Sequence, residues 1–289
     1  MSGILELKNL GFVYSQGTPF EKRAVSDVSL SINKGELIGI IGHTGSGKST
    51  LVQMLNGLIK PTEGEVLLNG KNIWDEPKKI RSVRFKVGMV FQYPEYQLFE
   101  ETVYKDIAFG AANMGKSGDE LDQAVKSAAE FAGIKPELLQ KSPFDLSGGE
   151  KRRAAIAGVI AMNPEVLILD EPTAGLDPMG REVLLSRIVH YHKEKNNTVL
   201  LVSHSMEDVA RFADRIMVLD DSRLVMFGKT KEVFSVPDKL EKIGLRVPQV
   251  TKLTQLLRQR GYDIPEGILT VDEAFSEITA FLKKEGKIW

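Results

Sequence analysis

Residues 42–50 read GHTGSGKST. Gly42, Gly47, Lys48 and Ser49 satisfy the pattern G-x-x-x-x-G-K-[ST], with His43, Thr44, Gly45 and Ser46 filling the interval and Thr50 following it. In such a loop successive backbone N–H groups turn inward around phosphate oxygens, and a side chain at the glycine positions would block that approach. Lys48 adds a cation among the phosphates, and Ser49 a hydroxyl for a divalent ion. By average residue usage the pattern arises by chance in roughly one chain of this length in a hundred. The chemistry it points to is binding of a nucleoside triphosphate.

Two further segments extend that chemistry. VLILDEP (166–172) is an apolar run ending in Asp170 and Glu171, and Pro172 cannot continue a strand ladder. Asp170 can hold Mg²⁺ alongside the Ser49 hydroxyl, and Glu171 can polarise the water that attacks a γ-phosphate. In isolation the pair could be two acids capping a strand; beside an intact phosphate loop the catalytic reading is the stronger. LSGGE (146–150) combines an S-x-x-E capping box, Ser147 and Glu150, with the bare glycines Gly148 and Gly149. It reads at least as a helix start. A capped helix end with open N–H groups and a positive dipole also suits a γ-phosphate. One chain cannot easily close this segment on its own phosphate loop, and each motif occurs once. A partner chain is the natural inference.

These residues need a scaffold that brings them to one edge. LIGII (37–41) before the loop predicts a buried strand, and STLVQMLNGL after it a helix whose N-terminus faces the phosphates. Further strands are predicted near 87–91, 166–170, 198–203 and 216–220, forming a parallel sheet covered on both faces. Residues 4–35 alternate like strands and EVLLNG closes at Asn69–Gly70, which predicts a small antiparallel sheet. IMVLD and LVMFG around Asp221–Arg223 predict an edge hairpin. A helical insertion is predicted over about 93–161, where residues 121, 124, 125, 128 and 132 form an apolar stripe. Residues 236–249, with two prolines, read as a connector. Amphipathic helices follow over 250–261 and 271–286, the second with a Thr270–Glu273 capping box and a stripe of Ala274, Phe275, Ile278, Phe281 and Leu282.

The ordered motifs resemble the ATPase subunit of an ATP-binding cassette transporter, over about residues 3–235. The resemblance implies an α/β fold: a P-loop NTPase core, an N-terminal antiparallel β-subdomain, an inserted α-helical subdomain and a small C-terminal helical extension. It implies an ATPase domain over 1–235; the amphipathic helices of 236–289 read as a region that packs either on their own domain or on a partner ATPase. It assigns Gly42 to Thr50 to ATP, Gln92 to sensing Mg²⁺ and the membrane partner, and Leu146 to Glu150 to the family signature. Glu150 departs from the usual glutamine. Asp177 would cross the dimer interface, His204 in LLVSH would contact the γ-phosphate, and Tyr14 would stack on adenine. More narrowly, FQYPEYQLFEETVYKDIAFG (91–110) and SPFDLSGGE resemble the second of the paired ATPases of energy-coupling-factor transporters, vitamin and metal importers. The partners so implied are a second ATPase subunit, paralogue or copy, a membrane-embedded coupling subunit and a substrate-capturing membrane protein. Residues 93–103 mix Tyr93, Tyr96 and Phe99 with Glu95, Glu100 and Glu101, which reads either as a solvated loop opening the helical insertion or, with aromatics this dense, as a groove receiving a basic helix of the coupling subunit.

Composition agrees. The 289 residues suggest about two domains, and 42% hydrophobic content supports a real core. A net charge of −1 leaves no electrostatic footprint for nucleic acid. KKIRSVRFK (78–86) reads as a solvated helix face. No cysteine is present, which excludes disulfide and thiol chemistry. MSGILELKNL predicts no signal peptide, and no apolar run approaches the ~20 residues needed to span a bilayer. The expected location is therefore peripheral, on the cytoplasmic face of the membrane where ATP is. A conventional binding-protein-dependent importer would share every catalytic motif. A soluble cassette ATPase of repair or translation would carry long insertions or two cassettes, and neither is visible.

Overall fold

The computed structural model describes residues 3–285. In chain order, β1 (Leu5–Tyr14) and β2 (Lys22–Ile32) precede β3 (Leu37–Ile41) and α1 (Lys48–Leu55). Next come β4 (Glu63–Leu68), β5 (Lys71–Asn72), α2 (Ile80–Lys86) and β6 (Val87–Val90). The helical insertion holds α3 (Val103–Asn113), α4 (Gly118–Ala132) and α5 (Gly148–Ile160), and leads into β7 (Val166–Asp170). Then follow α6 (Pro178–Lys195), β8 (Thr198–Val202), α7 (Met206–Phe212), β9 (Arg215–Asp220) and β10 (Arg223–Lys229). The last elements are α8 (Thr230–Phe234), α9 (Pro237–Lys242), α10 (Gln249–Gln259) and α11 (Val271–Lys284).

The strands form two sheets. One is antiparallel, in the order β2-β1-β4-β5. Its tight approaches demand small residues: Gly64 has φ 73°, and a Cβ there would lie 2.3 Å from the carbonyl oxygens of Lys8 and Asn9. The β4–β5 turn uses Asn69 and Gly70 at φ 51° and 76°, the paired positive φ of a hairpin turn. The second sheet runs β10-β9-β3-β8-β7-β6, parallel except for the edge strand β10. Every residue of β3, β6, β7 and β8 is buried, which is why these strands read as unbroken apolar runs.

Each face of the second sheet has its own core. On one side Leu51, Val52, Met54 and Leu55 of α1 pack with Leu5, Leu10, Val28 and Val66 of the antiparallel sheet, which holds α1 between the two sheets. On the other, Val125, Ala128, Ala129 and Ala132 of α4 join Ile107, Ala157, Leu184 and Ile188, so the predicted stripe is a packing face.

Three expectations change. Pro237 does not break the chain: it opens α9 at N1, where a missing N–H costs nothing, and Leu240, Leu245 and Val247 sink into the large core. Residues 236–249 are thus packed rather than a loose connector. In α11, Ala274 is buried but Phe275 is 70% exposed, because neighbouring helix positions lie about 100° apart and only one faces Ile264 and Ile268. In α2 the basic face is only partly solvated: Arg84 reaches the Gly57 carbonyl at 3.0 Å and Arg81 the Asn113 amide at 2.9 Å. The helix predicted to 286 is described to Lys284; residue 286 lies outside the described residues.

Leu240→Ala is expected to lower unfolding free energy in denaturant titration by about 2–5 kcal/mol, the range for large-to-small changes in a closed core. Phe275→Ala should change it by less than about 0.5 kcal/mol, as an exposed site.

Candidate nucleotide site

The loop of residues 42–47 joins β3 to α1, so its amides and the α1 N-terminus face the same opening. Gly47 sits at φ 101°, and a Cβ there would meet the Ala24 carbonyl at 2.2 Å; only glycine fits. Lys48 is 6% exposed and folds back, donating to the carbonyls of Gly42 at 2.8 Å and His43 at 2.9 Å. Burial pulls its pKa down, and the carboxylates of Glu171 and Asp170 pull the other way. His43 contacts the Thr44 carbonyl through Nδ1 at 2.8 Å and Asp220 through Nε2 at 3.0 Å. The Ser46 hydroxyl is buried without a hydrogen-bond partner among the described residues.

Asp170 ends β7 and is buried; burial raises its carboxyl pKa, while a hydrogen bond with Ser49 and the charge of Lys48 act against that. Glu171 follows at φ 50°, a left-handed conformation that costs a non-glycine residue energy and clusters at functional sites. It is held there by its N–H donating to Val202 of β8 at 3.1 Å. Its two carboxylate oxygens meet His204 Nε2 at 2.6 Å and Gln92 Nε2 at 3.2 Å. Tyr14 Oη lies 3.1 Å from Thr50 Oγ1, with Phe12 edge-on to the ring at 4.8 Å.

One cavity of about 450 Å³ unites these groups: Tyr14, Thr44, Gly45, Gly47, Lys48, Ser49, Thr50, Gln92, Glu171 and His204 all line it. Lys22 and Ala24 of β2 complete the wall. Lys22 and Asp220 were not singled out from sequence. Lys22 stands opposite Tyr14 in the β1–β2 register, a relation that only strand pairing reveals. The Ser49 hydroxyl, the buried Asp170 carboxylate and the Gln92 amide are oxygen donors suited to Mg²⁺. No group of three acids or histidines among the described residues forms a metal cage by itself.

Ser147, Gly148, Gly149 and Glu150 are not in that lining. Ser147 caps α5, with Glu150 N–H directed at its Oγ at 3.4 Å. The Glu150 carboxylate accepts from Ser147 N at 2.9 Å and Ser147 Oγ at 2.6 Å. The bonds from Ser147 hold that carboxyl below its ordinary pKa. Glu150 thus satisfies Ser147 as an acceptor. Nothing lies within 4 Å of a Cβ built on Gly148, so that side of the helix end is open. Asp177 caps α6 through the Gly180 N–H at 2.8 Å and is likewise exposed.

A strand-end acid pair, a phosphate loop and a separate capped helix define a cassette ATPase. The sequence profile of the ABC transporter family matches residues 25–174, just over half of the chain. A second profile, for an AAA domain described with a putative AbiEii toxin, matches residues 139–210. The chain is 52% identical over 279 residues to the energy-coupling factor transporter ATP-binding protein EcfA2 of Caldanaerobacter subterraneus, covering 96% of this chain and 98% of that one. It is 54% identical over 280 residues to EcfA2 of Clostridium acetobutylicum, with the same two coverages, 96% and 98%. Among solved structures it is similar to cbiO1 of Clostridium perfringens, part of the ABC transporter complex cbiONQ, at TM-score 0.75 and 40% identity over 88% of this chain and 100% of that one. It is also similar to the ATP-binding cassette MJ0796 in a dimer with ADP and Pi, at TM-score 0.70 and 30% identity over 78% of this chain and 98% of that one. The chain belongs to the ABC transporter family and is an ATPase of that family.

Glu171→Gln is expected to keep ATP affinity and lower kcat by about 10²–10⁴-fold, the usual worth of a positioned general base. Lys48→Ala should weaken ATP binding itself. Equilibrium nucleotide titration alongside phosphate-release kinetics separates the two.

Proposed function

We propose that this chain is the ATP-hydrolysing subunit of an energy-coupling-factor importer, powering uptake of a vitamin or metal through a membrane coupling subunit. Near-full-length identity of about half to proteins named as ATP-binding subunits of such transporters carries this reading. The geometry adds why a second ATPase chain is needed. The cavity holds the loop, the acids and His204, while Ser147 to Glu150 stand outside it. Two such chains, copies or paralogues, would each close the other's nucleotide with a capped α5.

Within one half-site the residues divide the work. Phosphate oxygens replace the Gly42 and His43 carbonyls as partners of Lys48. Tyr14 offers its ring to the adenine. Glu171, oriented by His204 and Gln92, takes the proton of the attacking water. Ser49, Asp170 and Gln92 would hold Mg²⁺, which when bound neutralises charge on the β- and γ-phosphate oxygens. Ser147, Gly148 and Gly149 of the facing chain direct donors at the γ-phosphate, where charge builds in the transition state. Asp177, exposed at the start of α6, would contact the facing chain as well.

A groove of about 500 Å³ between α2, α3 and α5 supports the membrane-coupling role. Phe99 and Phe109 stand edge to face at 5.0 Å in its wall and are half exposed, beside Phe85, Phe91 and Leu98. It opens directly beyond Gln92, so a helix seated there touches the segment that meets Glu171. Its chemistry differs from the sequence-based expectation. Glu95 is engaged internally by Arg152 and Glu101 pairs with Lys105, while Arg81 and Arg84 line the groove. The aromatics therefore carry the contact. No helix among the described residues is long and apolar enough to cross a membrane. We place the chain on the cytoplasmic face, held through the coupling subunit, with the helices of 236–289 as a contact for the second ATPase.

Phe99→Ala combined with Phe109→Ala should abolish co-purification of membrane subunits from native membranes, with ATP affinity of the free chain unchanged. Retained co-purification and uptake in the double variant would reject the groove as the docking site.

A further inference from the structure

Arg152 lies in α5, five residues beyond the cap Ser147, and is 3% exposed. Its guanidinium meets Glu95 with both arms: Nε to Oε2 at 3.0 Å and Nη2 to Oε1 at 2.6 Å. Nη1 donates to the carbonyls of Pro172, at 3.3 Å, and Ala174. The guanidinium carbon is 5.9 Å from the centroid of the Tyr93 ring. Tyr93 itself sits at φ 53°, an outlier for a bulky residue, in the turn that carries the chain from Gln92 to Glu95. Burial would push the Glu95 carboxyl up, but the hydrogen bonds from Arg152 and its charge hold it below the ordinary value. The pair is therefore ionised, enclosed and bidentate. An ammonium is a point charge and could not reproduce this fork.

The three segments that meet at Arg152 are those the reaction uses. Gln92 and Glu171 serve the chain's own nucleotide. Ser147 at the start of α5, and Asp177 a few residues beyond Ala174, face the other chain's nucleotide. The flanking Tyr96 is 85% exposed, its ring 6.3 Å from that of Tyr93. We infer that Arg152 is a positioning residue that fastens α5 to the Gln92–Glu95 segment and to the turn beyond Glu171. The three then move as one body when nucleotide binds or the groove is filled. Arg152 is not in the lining of the nucleotide cavity and acts through Ser147 and Glu171. The inference rests on the two-chain ATPase reading above for the site that Ser147 completes.

The absence of cysteine makes the test direct. Spin labels on Lys126→Cys in α4 and Lys34→Cys before β3, both exposed, report the distance between helical insertion and core in the full-length chain. With the link intact, one narrow distance distribution is expected without nucleotide, and one shifted narrow distribution with ATP. Glu95→Gln and Arg152→Lys should each broaden both distributions. In unlabelled full-length chain each should lower kcat by up to about 10²-fold, the cost of misplacing groups by about 1 Å. KM for ATP and the number of ATP bound per chain should stay unchanged, which loss of folded protein would not allow. The double variant should be no worse than the lower single, since one link is broken. Unchanged distance widths and unchanged kcat in both single variants would overturn the inference. Should Glu95→Gln fail to fold, Arg152→Lys, which keeps the charge, decides the matter alone. Should the parent bind no ATP, the nucleotide reading falls while the nucleotide-free widths still judge the link.

Discussion

Parallel register across β3, β8 and β7 is the constraint on which the site depends. Ile40 pairs with Val202 and Val202 with Asp170, so the three strands stop at the same level. The residues that follow are then Gly42 onward, Ser203–His204 and Glu171, all at the carboxyl edge where open α/β sheets bind ligands. A one-residue slip of β7 would exchange the faces of its side chains and take Asp170 away from Ser49. Burial on both faces prevents such a slip, because it would drive Asp170 and its neighbours against the wrong core. The register therefore protects the chemistry at the cost of leaving the strands no polar residue except at their ends.

On the proposed reading, most groups that would meet nucleotide are already satisfied within the chain, the buried Ser46 hydroxyl excepted. Lys48 is bonded to loop carbonyls, Ser147 to Glu150, and Glu171 to both His204 and Gln92. An unpartnered buried cation or carboxylate would be costly, whereas exchanging one hydrogen-bond partner for another is close to neutral, with each bond worth about 0.5–1.5 kcal/mol net. ATP binding can then be written as a set of exchanges rather than new burials. Glu171 contributes differently. Its left-handed backbone places it in the cavity wall, and the strand hydrogen bond to Val202 bears that strain.

The groove and the cavity share a wall only a few residues thick. Gln92 lines the cavity and Gln97, Leu98 and Phe99 line the groove, with Tyr93 and Glu95 between them tied to Arg152. If the groove receives a partner as proposed, this connection would carry its effect to the cavity, because packed cores shift as units rather than deform. The C-terminal helices are joined to the same body. Leu240, Leu245, Val247 and Leu269 enter the main core, whereas Ile264, Ile268 and Ala274 form a small cluster of their own.

By itself the sequence determined what is local or strictly periodic. The phosphate loop, Asp170–Glu171, the Ser147 cap, the parallel strands and the α4 stripe were all legible, because glycine at positive φ, a capping hydroxyl and apolar periodicity act over a few residues. The hairpin turns at 69–70 and around 221–223 were legible for the same reason, the structure starting β10 at Arg223. Only tertiary structure decided who faces whom. It gave Glu95 to Arg152 rather than to a partner, set Lys22 opposite Tyr14, and paired His43 with Asp220. These contacts join residues between 8 and 177 positions apart, and charge type alone names no partner at such separations. It also exposed Phe275 while burying Ala274, since a helix stripe marks which residues could be covered, and the angle at which the helix docks selects those that are.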